Sequence, residues 1–225
     1  FLAALGLAVF AWFGWSMIQA SAPSYDEPVH LASGYAALRG GTRLINAMDH
    51  PPLAEMWAAL PLLALRPATF FDHPDWVAGR VYNYSDFFLY KNRVDAERML
   101  NTARMWCLLS WGALLAWGIL GWARRLGGET AMAAGSLLMG LCPALFSNAA
   151  VVTTDAGSSV FFFLTFWLLS AKGLGLYRWL GAGTAMGAAM ACKFSMFLLP
   201  LFAIAMILAE WNLLRRRGYR LPGAG

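Results

Sequence analysis

Long apolar segments follow one another along most of the chain, separated by short polar connectors. A helix needs about 20 apolar residues to cross the hydrocarbon core of a membrane. The pattern therefore predicts an all-α polytopic membrane protein, a bundle of about six transmembrane helices forming a single domain over residues 1–225. Six segments come close to the required length: 1–20, 103–123, 130–150, 156–172, 178–195 and 198–214.

One long connector, residues 21–102, interrupts this pattern between the first two predicted spans. Inside it, residues 53–65 (LAEMWAALPLLAL) are mostly apolar but contain Glu55 and Pro61. This segment is too short to cross a membrane, so it predicts a helix that lies in the membrane interface.

The composition agrees with a membrane protein. Hydrophobic residues make up 60% of the chain and charged residues 13%, whereas soluble domains average about 25% charged residues. The net charge of +5 does not indicate nucleic-acid binding, because no basic cluster is interleaved with aromatic residues on a polar surface. Cys107, Cys142 and Cys192 all lie in apolar segments and are predicted to be small buried side chains.

The basic residues predict the side of the membrane on which each connector lies. With six spans, one set of connectors carries eight basic and two acidic residues, and the other carries nine basic and ten acidic residues. The positive-inside rule makes the first set cytoplasmic. We therefore expect an integral protein of the bacterial inner membrane whose 21–102 loop, Asp155 and Lys193 lie on the periplasmic side. The cytoplasmic basic residues are Arg124, Arg125, Lys172, Arg178, Arg215, Arg216, Arg217 and Arg220.

The first apolar segment has two interpretations. The chain begins with Phe1 rather than Met, and the letters ASA at 20–22 are similar to a signal-peptidase site. The parity of the spans instead favours a retained first helix. The two ends also predict that the sequence is a piece of a longer protein, so that a C-terminal remainder is an expected partner.

Two pairs of small residues predict close helix packing. Gly183 and Gly187 form a GxxxG pattern, and Ser136 and Gly140 have the same spacing. Small side chains four residues apart allow the backbones of two membrane helices to approach each other.

Two adjacent acids, Asp26 and Glu27, follow the first apolar segment closely. Adjacent side chains point in different directions, so one can face a site while the other supports the local structure. Low dielectric near a membrane raises the pKa of a carboxylate and makes it a better general base. The alternative is that Asp26 caps a helix with Pro28 in its first turn, and the local sequence does not decide between the two.

Asp49 and His50 stand before two prolines that hold the chain extended. Asp26, Glu27 and His50 are candidate ligands for a divalent cation, since two carboxylates and an imidazole make a plausible shell, with Asp49 beside them. A histidine that is simply hydrogen-bonded in a turn is the commoner case, and the spacing is compatible with both.

Three further ionisable residues are predicted at the outer membrane edge. Arg104 opens the second span, Lys193 lies near the outer end of the fifth, and Asp155 lies in the short turn before the fourth. Cations at this depth either extend into the headgroups or bind a lipid-linked phosphate. Their position on the same side as Asp26 favours the phosphate.

Residues 67–98 are rich in aromatic side chains. Such a density beside a membrane predicts either an interfacial belt, which is the commoner case, or the lining of a sugar site. The residues are Phe70, Phe71, Trp76, Tyr82, Tyr84, Phe87, Phe88 and Tyr90.

This series of motifs resembles the polyprenyl-phosphate-dependent glycosyltransferases of the GT-C superfamily, specifically the protein O-mannosyltransferase and aminoarabinose-transferase type. The resemblance covers nearly all of the chain, which corresponds to the N-terminal half of such an enzyme. It rests on YDEPVHLASGYAALRGG after the first span, DHPPLAEMW, ARMWCLLSWGALLAWGILGWARRLGG, TTDAGSSVFFFLTFWLL and ACKFSMFLLP.

The resemblance implies a GT-C-like fold and an inverting membrane glycosyltransferase. Such an enzyme moves a sugar from a polyprenyl-phosphate donor, for example a dolichol-phosphate sugar, to a hydroxyl of a protein, lipid or glycan on the outer side. The transfer needs no nucleotide. His50 matches the histidine of a His-Pro-Pro motif, and no arginine closely follows the Asp-Glu pair, so hexose transfer is favoured over aminoarabinose transfer.

The resemblance also implies roles for the candidate residues. Asp26 would activate the acceptor hydroxyl at the reaction centre, and Glu27 would support its loop. Arg104 and Lys193 would bind the donor phosphate. The supporting residues would be His50, Asp155 and Asp49.

Two other classes of function use similar features. A lipid or solute transporter, including a flippase, also carries charges in its membrane part, but usually near the midplane and within inverted repeats. Here the charges gather at one surface and no repeat is visible. A noncatalytic membrane scaffold would use the 21–102 loop to bind a partner, and it predicts that Asp26 is dispensable.

Overall fold

The structure is a computed structural model. In the part of the chain that it describes, all regular elements are helices. That part is residues 1–41, 44–170 and 175–216, without the side chains of residues 213–216. The all-α prediction is confirmed. The α-helices are α1 (Leu2–Ala20), α2 (Glu27–Leu38), α3 (Leu53–Ala59), α4 (Leu62–Leu65), α5 (Pro74–Ala78), α6 (Val81–Tyr90), α7 (Ala96–Leu141), α8 (Pro143–Ala149), α9 (Thr154–Ser170), α10 (Gly175–Cys192) and α11 (Leu199–Arg216), with a 3₁₀ turn at Phe194–Leu198.

Three helical stretches among the described residues are long and apolar enough to cross a membrane: Leu2–Ala20, Ala96–Leu141 and Phe194–Asn212. They indicate an integral membrane protein, but the predicted count of six spans is not confirmed. Some residues used in the sidedness prediction lie outside the described part: Arg43, Lys172, Arg217 and Arg220, together with the side chains of Arg215 and Arg216.

The 46-residue α7 is two antiparallel halves rather than one straight rod. Gly127 and Gly128 have non-helical backbone angles, and φ of Gly128 is 66°, a value that favours glycine. A Cβ built on Gly135 would lie 3.2 Å from the Cβ of Ala123, whereas residues 12 apart in a straight helix are about 18 Å apart. The chain therefore turns back between two of the predicted apolar segments.

Small residues let α1 pack tightly on the second half of α7. A Cβ on Gly6 would lie 2.4 Å from the backbone of Ser136, and one on Gly140 would lie 2.3 Å from the carbonyl oxygen of Gly6. The predicted close approach at Ser136 and Gly140 is confirmed. In contrast, a Cβ on Gly183 or Gly187 would meet no described atom within 4 Å, so this GxxxG pattern lies on an open face of α10.

This difference predicts opposite results for two glycine-to-alanine substitutions. Gly140→Ala should destabilise the protein by about 1–3 kcal/mol, because the new methyl group would overlap backbone that cannot move aside. Gly183→Ala, the matched control, should be neutral or slightly stabilising, since alanine is the better helix former. Thermal unfolding in detergent would measure both, and equal stability of the two variants would contradict the packing described here.

The part of the 21–102 connector that the structure describes folds into a helical layer. The segment 53–65 is not one helix as predicted, because the chain breaks at Leu60–Pro61 into α3 and α4. Its placement at the membrane interface stays a prediction. Small residues on α3, among them Ala54 and Ala58, are buried, and α3 contacts α2, α7, α9 and α10. The short helix is therefore part of the core.

The aromatic residues of this connector form much of the core of the helical layer. Trp76, Tyr84 and Phe88 are buried, and the Trp76 and Tyr84 rings lie 4.9 Å apart. Phe88 also contacts Tyr35 of α2. The prediction of an interfacial belt is therefore wrong for these buried residues, because their rings pack against aromatic side chains of other helices instead of facing lipid headgroups. Tyr82 is 45% exposed and lies outside this core.

Candidate functional site

The candidate site is organised around Glu27, the first residue of α2. Its side chain is fully buried. One carboxylate oxygen accepts a hydrogen bond from Arg104 Nε (2.8 Å) and one from the backbone N–H of Val152 (2.9 Å). The other accepts from an Arg104 terminal nitrogen (2.5 Å) and from the backbone N–H of Ser24 (2.8 Å). Glu27 thus joins the start of α2 to α7 and to the turn before α9.

The same bonds determine the charge state of Glu27. Burial by itself would raise the pKa of this carboxyl, but the Arg104 guanidinium and the N–H groups of Ser24 and Val152 outweigh burial and hold the pKa below its usual value of 4.5. Glu27 is therefore ionised at neutral pH. An ionised carboxylate with four donors is an anchor for the backbone beside it.

Arg104 has no N–H group left for a ligand. Besides Glu27, its terminal nitrogens donate to the carbonyl oxygens of Ser21 (2.9 Å) and Ala22 (3.0 Å) and, more weakly, to the Asn101 side chain (3.5 Å). A guanidinium has five N–H donors, and these contacts use all of them on a side chain that is 2% exposed. The geometry therefore argues against the predicted binding of donor phosphate by Arg104.

Asp26, next to Glu27 in the chain, points the other way and is exposed. It occupies the N-cap position of α2, as predicted, but its side chain makes no capping hydrogen bond. The capping hypothesis is thus wrong for the carboxylate, although right for the position. The anchor on Glu27 holds the backbone while the Asp26 carboxylate faces outward.

Two exposed tyrosines lie beside Asp26. The rings of Tyr25 and Tyr82 are 5.4 Å apart, although they come from the α1–α2 connector and from α6. Partial desolvation raises the pKa of the Tyr82 hydroxyl, and the negative charges of Asp26 and then of Asp49 raise it further. Asp26, Asp49 and this tyrosine pair are therefore neighbours on one surface.

Asp155 and Lys193 form an ion pair with each other across 38 residues of sequence. Asp155 lies in the first turn of α9, and Lys193 stands at the N-cap position of the 3₁₀ turn that follows α10. Neither side chain is buried. Because Glu27 bonds to Val152, three residues before Asp155, the pair lies near the start of α2. Lys193 is thus an accessible cation of this site.

His50 is half-buried, and its Nδ1 atom is buried and has no hydrogen-bond partner among the described residues. Its backbone N–H donates to the carbonyl oxygen of Asn46 (3.1 Å). Burial lowers the pKa of its imidazole, the neighbouring His30 and Lys193 lower it further, and the carboxylates of Glu55 and Asp49 oppose this shift. The bond to Asn46 agrees with the predicted hydrogen-bonded histidine in a turn, and the lowered pKa makes His50 a neutral imidazole near Lys193.

Sequence reasoning missed three buried polar residues next to His50. Glu55 accepts hydrogen bonds from His30 Nδ1 (2.9 Å) and from the side-chain amide of Asn46 (2.5 Å), and all three residues are buried. The one available signal is that Glu55 interrupts an apolar segment. A carboxylate in such a place needs partners, but nothing in the sequence says which they are.

The predicted cation ligands do not form a metal site in the described structure. Among the described residues, no group of three or more His, Cys, Asp or Glu side chains is arranged to hold a metal ion. Both oxygens of Glu27 are already engaged by Arg104, and the Nδ1 atom of His50 is buried. These residues therefore do not fit a shell of Asp26, Glu27 and His50.

A family model described as dolichyl-phosphate-mannose-protein mannosyltransferase matches residues 100–224, more than half of the chain. The chain belongs to this family. The resemblance noted from the motifs is confirmed, and the protein is a membrane glycosyltransferase of the GT-C type. No curated protein and no solved structure gives a significant match to the chain.

The matched range divides the candidate residues of this mannosyltransferase-family chain. Arg104, Asp155 and Lys193 lie inside residues 100–224, whereas Asp26 and His50 precede them. The family match therefore supports the class of enzyme but gives no role to residues of the α1–α7 connector. In the structure, hydrogen bonds from Arg104 and from the backbone of Val152 to Glu27 link that connector to the matched range.

Proposed function

We propose that this protein transfers a sugar from a polyprenyl-phosphate donor to an acceptor hydroxyl, with inversion, on the outer side of the membrane. The family suggests mannose as the sugar and a protein as the acceptor. The observation that carries the proposal is the exposed Asp26 carboxylate, which makes no capping hydrogen bond and lies beside the buried Glu27 anchor.

In this reaction Asp26 acts as the general base. The acceptor oxygen attacks the anomeric carbon as the bond from that carbon to the phosphate oxygen breaks. Asp26 takes the hydroxyl proton, and the polyprenyl phosphate leaves with the electron pair of the broken bond. A single displacement of this kind inverts the anomeric configuration. A base in this role contributes about 10²- to 10⁴-fold to the rate.

Lys193 is the cation that we assign to the donor phosphate. It is accessible and is oriented by Asp155, whereas the N–H groups of Arg104 are all engaged. A positive charge at this place stabilises the negative charge that builds up on the leaving phosphate. His50 and Asp49, which lie near Lys193 and Tyr82, complete this face of the site.

Transfer of labelled mannose from polyprenyl-phosphate mannose, measured with the purified protein in lipid nanodiscs, tests the assignment of Lys193. Lys193→Met should lower kcat/KM for the donor by roughly 10- to 100-fold, because a hydrogen bond to a charged group contributes about 1.5–3 kcal/mol. Lys91→Met, which removes an exposed lysine at the end of α6, is the control and should retain activity.

Two outcomes would count against this function. Equal activity of both lysine variants would remove Lys193 from the site. A product that keeps the anomeric configuration of the donor, determined by NMR of the isolated glycoside, would exclude the single displacement. Failure of the wild-type protein to transfer any sugar from a panel of polyprenyl-phosphate donors would favour the transporter or scaffold hypotheses.

A further inference from the structure

We propose that Glu55 is a positioning residue, whose buried carboxylate holds His30 and Asn46 so that the turn bearing Asp49 and His50 faces Asp26. We call His30, Asn46 and Glu55 the Glu55 cluster. The inference rests on the proposed function for its catalytic consequence, while its structural part stands independently.

The first step is the position of the carboxylate. Glu55 lies on α3, where its side chain is 3% exposed. Its backbone carbonyl is packed so closely on α2 that a Cβ on Gly34 would lie 2.0 Å from that oxygen. The carboxylate is therefore attached to tightly packed backbone in the core. Burying a charge in this way is costly unless partners satisfy it.

The second step is the identity of those partners. One oxygen of Glu55 forms hydrogen bonds with two side chains: Nδ1 of His30, on α2, and the amide of Asn46, in the turn before α3. Because a single oxygen of Glu55 makes both contacts, the positions of His30 and Asn46 depend on the same atom. The cluster thus holds the ring orientation of His30 as well as the side-chain position of Asn46.

The third step leads from Asn46 to the site. The backbone carbonyl of Asn46 accepts hydrogen bonds from the N–H groups of Asp49 and His50, both at 3.1 Å. The Asn46 side chain is therefore bonded to Glu55 while its backbone closes the turn that carries both site residues. This turn links the buried carboxylate to the exposed face of the site.

The fourth step is the direct contact between the two histidines. The ring centroids of His30 and His50 lie 5.3 Å apart, with an interplanar angle of 60°. The His50 ring therefore packs against the His30 ring, which Glu55 orients. No described side chain donates to or accepts from Nδ1 of His50. The His50 ring is consequently held by packing and by the turn, both of which depend on the Glu55 cluster.

The test compares Glu55→Ala with Glu55→Gln. Glutamine retains a carbonyl oxygen that accepts from both His30 and Asn46, so Glu55→Gln should keep most of the transfer activity. Alanine removes the acceptor, and misplacement of a site residue by about 1 Å can cost on the order of 10²-fold in rate. We therefore expect Glu55→Ala to lower kcat by roughly 10- to 100-fold, with Glu97→Gln as an exposed control.

A combined variant distinguishes positioning from general destabilisation. If Glu55 acts through the turn, Glu55→Ala should cause no further loss in a protein that already carries both Asp49→Ala and His50→Ala. A further loss of the same size in that background would overturn the proposal, because it would mean that Glu55 contributes by another route. Asn46→Ala should behave like Glu55→Ala, and it provides a second variant if Glu55→Ala does not fold.

A measurement that needs no turnover separates this proposal from the proposed function. The chain has three histidines, so NMR of protein labelled with ¹⁵N-histidine should give signals that single variants can assign. Glu55→Ala should shift the side-chain signals of His30 and His50 and leave those of His73 unchanged. His73 is an internal control, because it contacts Asp75 and Phe87 instead.

The activity assay and the NMR measurement can give opposite results, so the proposed function and the positioning role can fail separately. If wild type transfers no sugar but the histidine signals shift as expected, the proposed function fails while the structural role of the Glu55 cluster stands. If wild type transfers sugar and Glu55→Ala leaves both the activity and the His50 signals unchanged, the positioning role is overturned.

Discussion

Asp26→Asn is expected to lower the rate of sugar transfer by about 10²- to 10⁴-fold, the usual contribution of a general base. Asparagine has nearly the same shape as aspartate but cannot take up the proton of the attacking hydroxyl group. The Asp26 side chain makes no capping hydrogen bond in the structure, so the substitution should not disturb α2. Binding of the donor should be unchanged, since the phosphate is assigned to Lys193.

The measurement is single-turnover transfer together with donor binding, for wild type and Asp26→Asn. Asp86→Asn provides the matched control, since Asp86 is an exposed aspartate of α6 in the same helical layer. Full activity of Asp26→Asn would show that the base is elsewhere, and Asp49 would be the next candidate because it lies on the same surface. Loss of donor binding would instead place Asp26 in contact with the donor.

Glu27→Gln is expected to destabilise the folded protein by about 3–5 kcal/mol, the typical cost of breaking a buried ion pair by removing one partner. The Arg104 guanidinium would remain charged and 2% exposed, with only carbonyl and amide oxygens as partners. The start of α2 would then lose its charged link to α7. Denaturation in detergent would report the change in the free energy of unfolding.

An exposed ion pair provides the control for this prediction. Arg124 and Glu129 also form a pair, at 2.7 Å, but both side chains are 65% exposed. Pairs of this kind contribute about 0–1 kcal/mol, so Glu129→Gln should have little effect. Similar losses for Glu27→Gln and Glu129→Gln would mean that the Glu27–Arg104 pair does not anchor α2.

The same pair predicts a dependence of stability on pH. The pKa of Glu27 is held below its usual value of 4.5 in the folded protein, so ionisation of this group favours the folded state. This contribution is complete above the usual value and is lost as the pH falls through the lowered one. The stability of Glu27→Gln should therefore change less with pH in this acidic range than that of wild type.

The anchor and the proposed base illustrate how far a sequence pattern can be interpreted. The adjacent acids predict that one side chain supports the fold and the other faces a site. The structure buries Glu27 and leaves Asp26 exposed, while the site at Asp26 stays a prediction. The pattern does not say which partner Glu27 has, because Arg104 is 77 residues away. The geometry argues against phosphate binding, the role expected for Arg104, because packing gives its N–H groups other partners.

Hydropathy and residue size by themselves predicted a membrane protein, its helical fold and the close helix packing at Ser136 and Gly140. These features depend on local periodicity, since a helix needs only its own sequence to define an apolar face. The motifs around the Asp-Glu pair and the His-Pro-Pro block likewise indicated a glycosyltransferase. The Gly183–Gly187 pattern shows the limit, because small residues permit close packing without providing a neighbour.

Tertiary structure alone decided the partners of the buried polar groups. Glu55 needs His30 and Asn46, and Lys193 pairs with Asp155, yet no local pattern in the sequence predicts either arrangement. A hydrogen bond requires its two atoms to lie within about 3 Å of each other, and for residues far apart in the chain that distance follows from how whole helices pack. The sequence determined which segments are helical and which residues are charged, and the packing of those helices decided which charges hold the fold together and which remain accessible to a substrate.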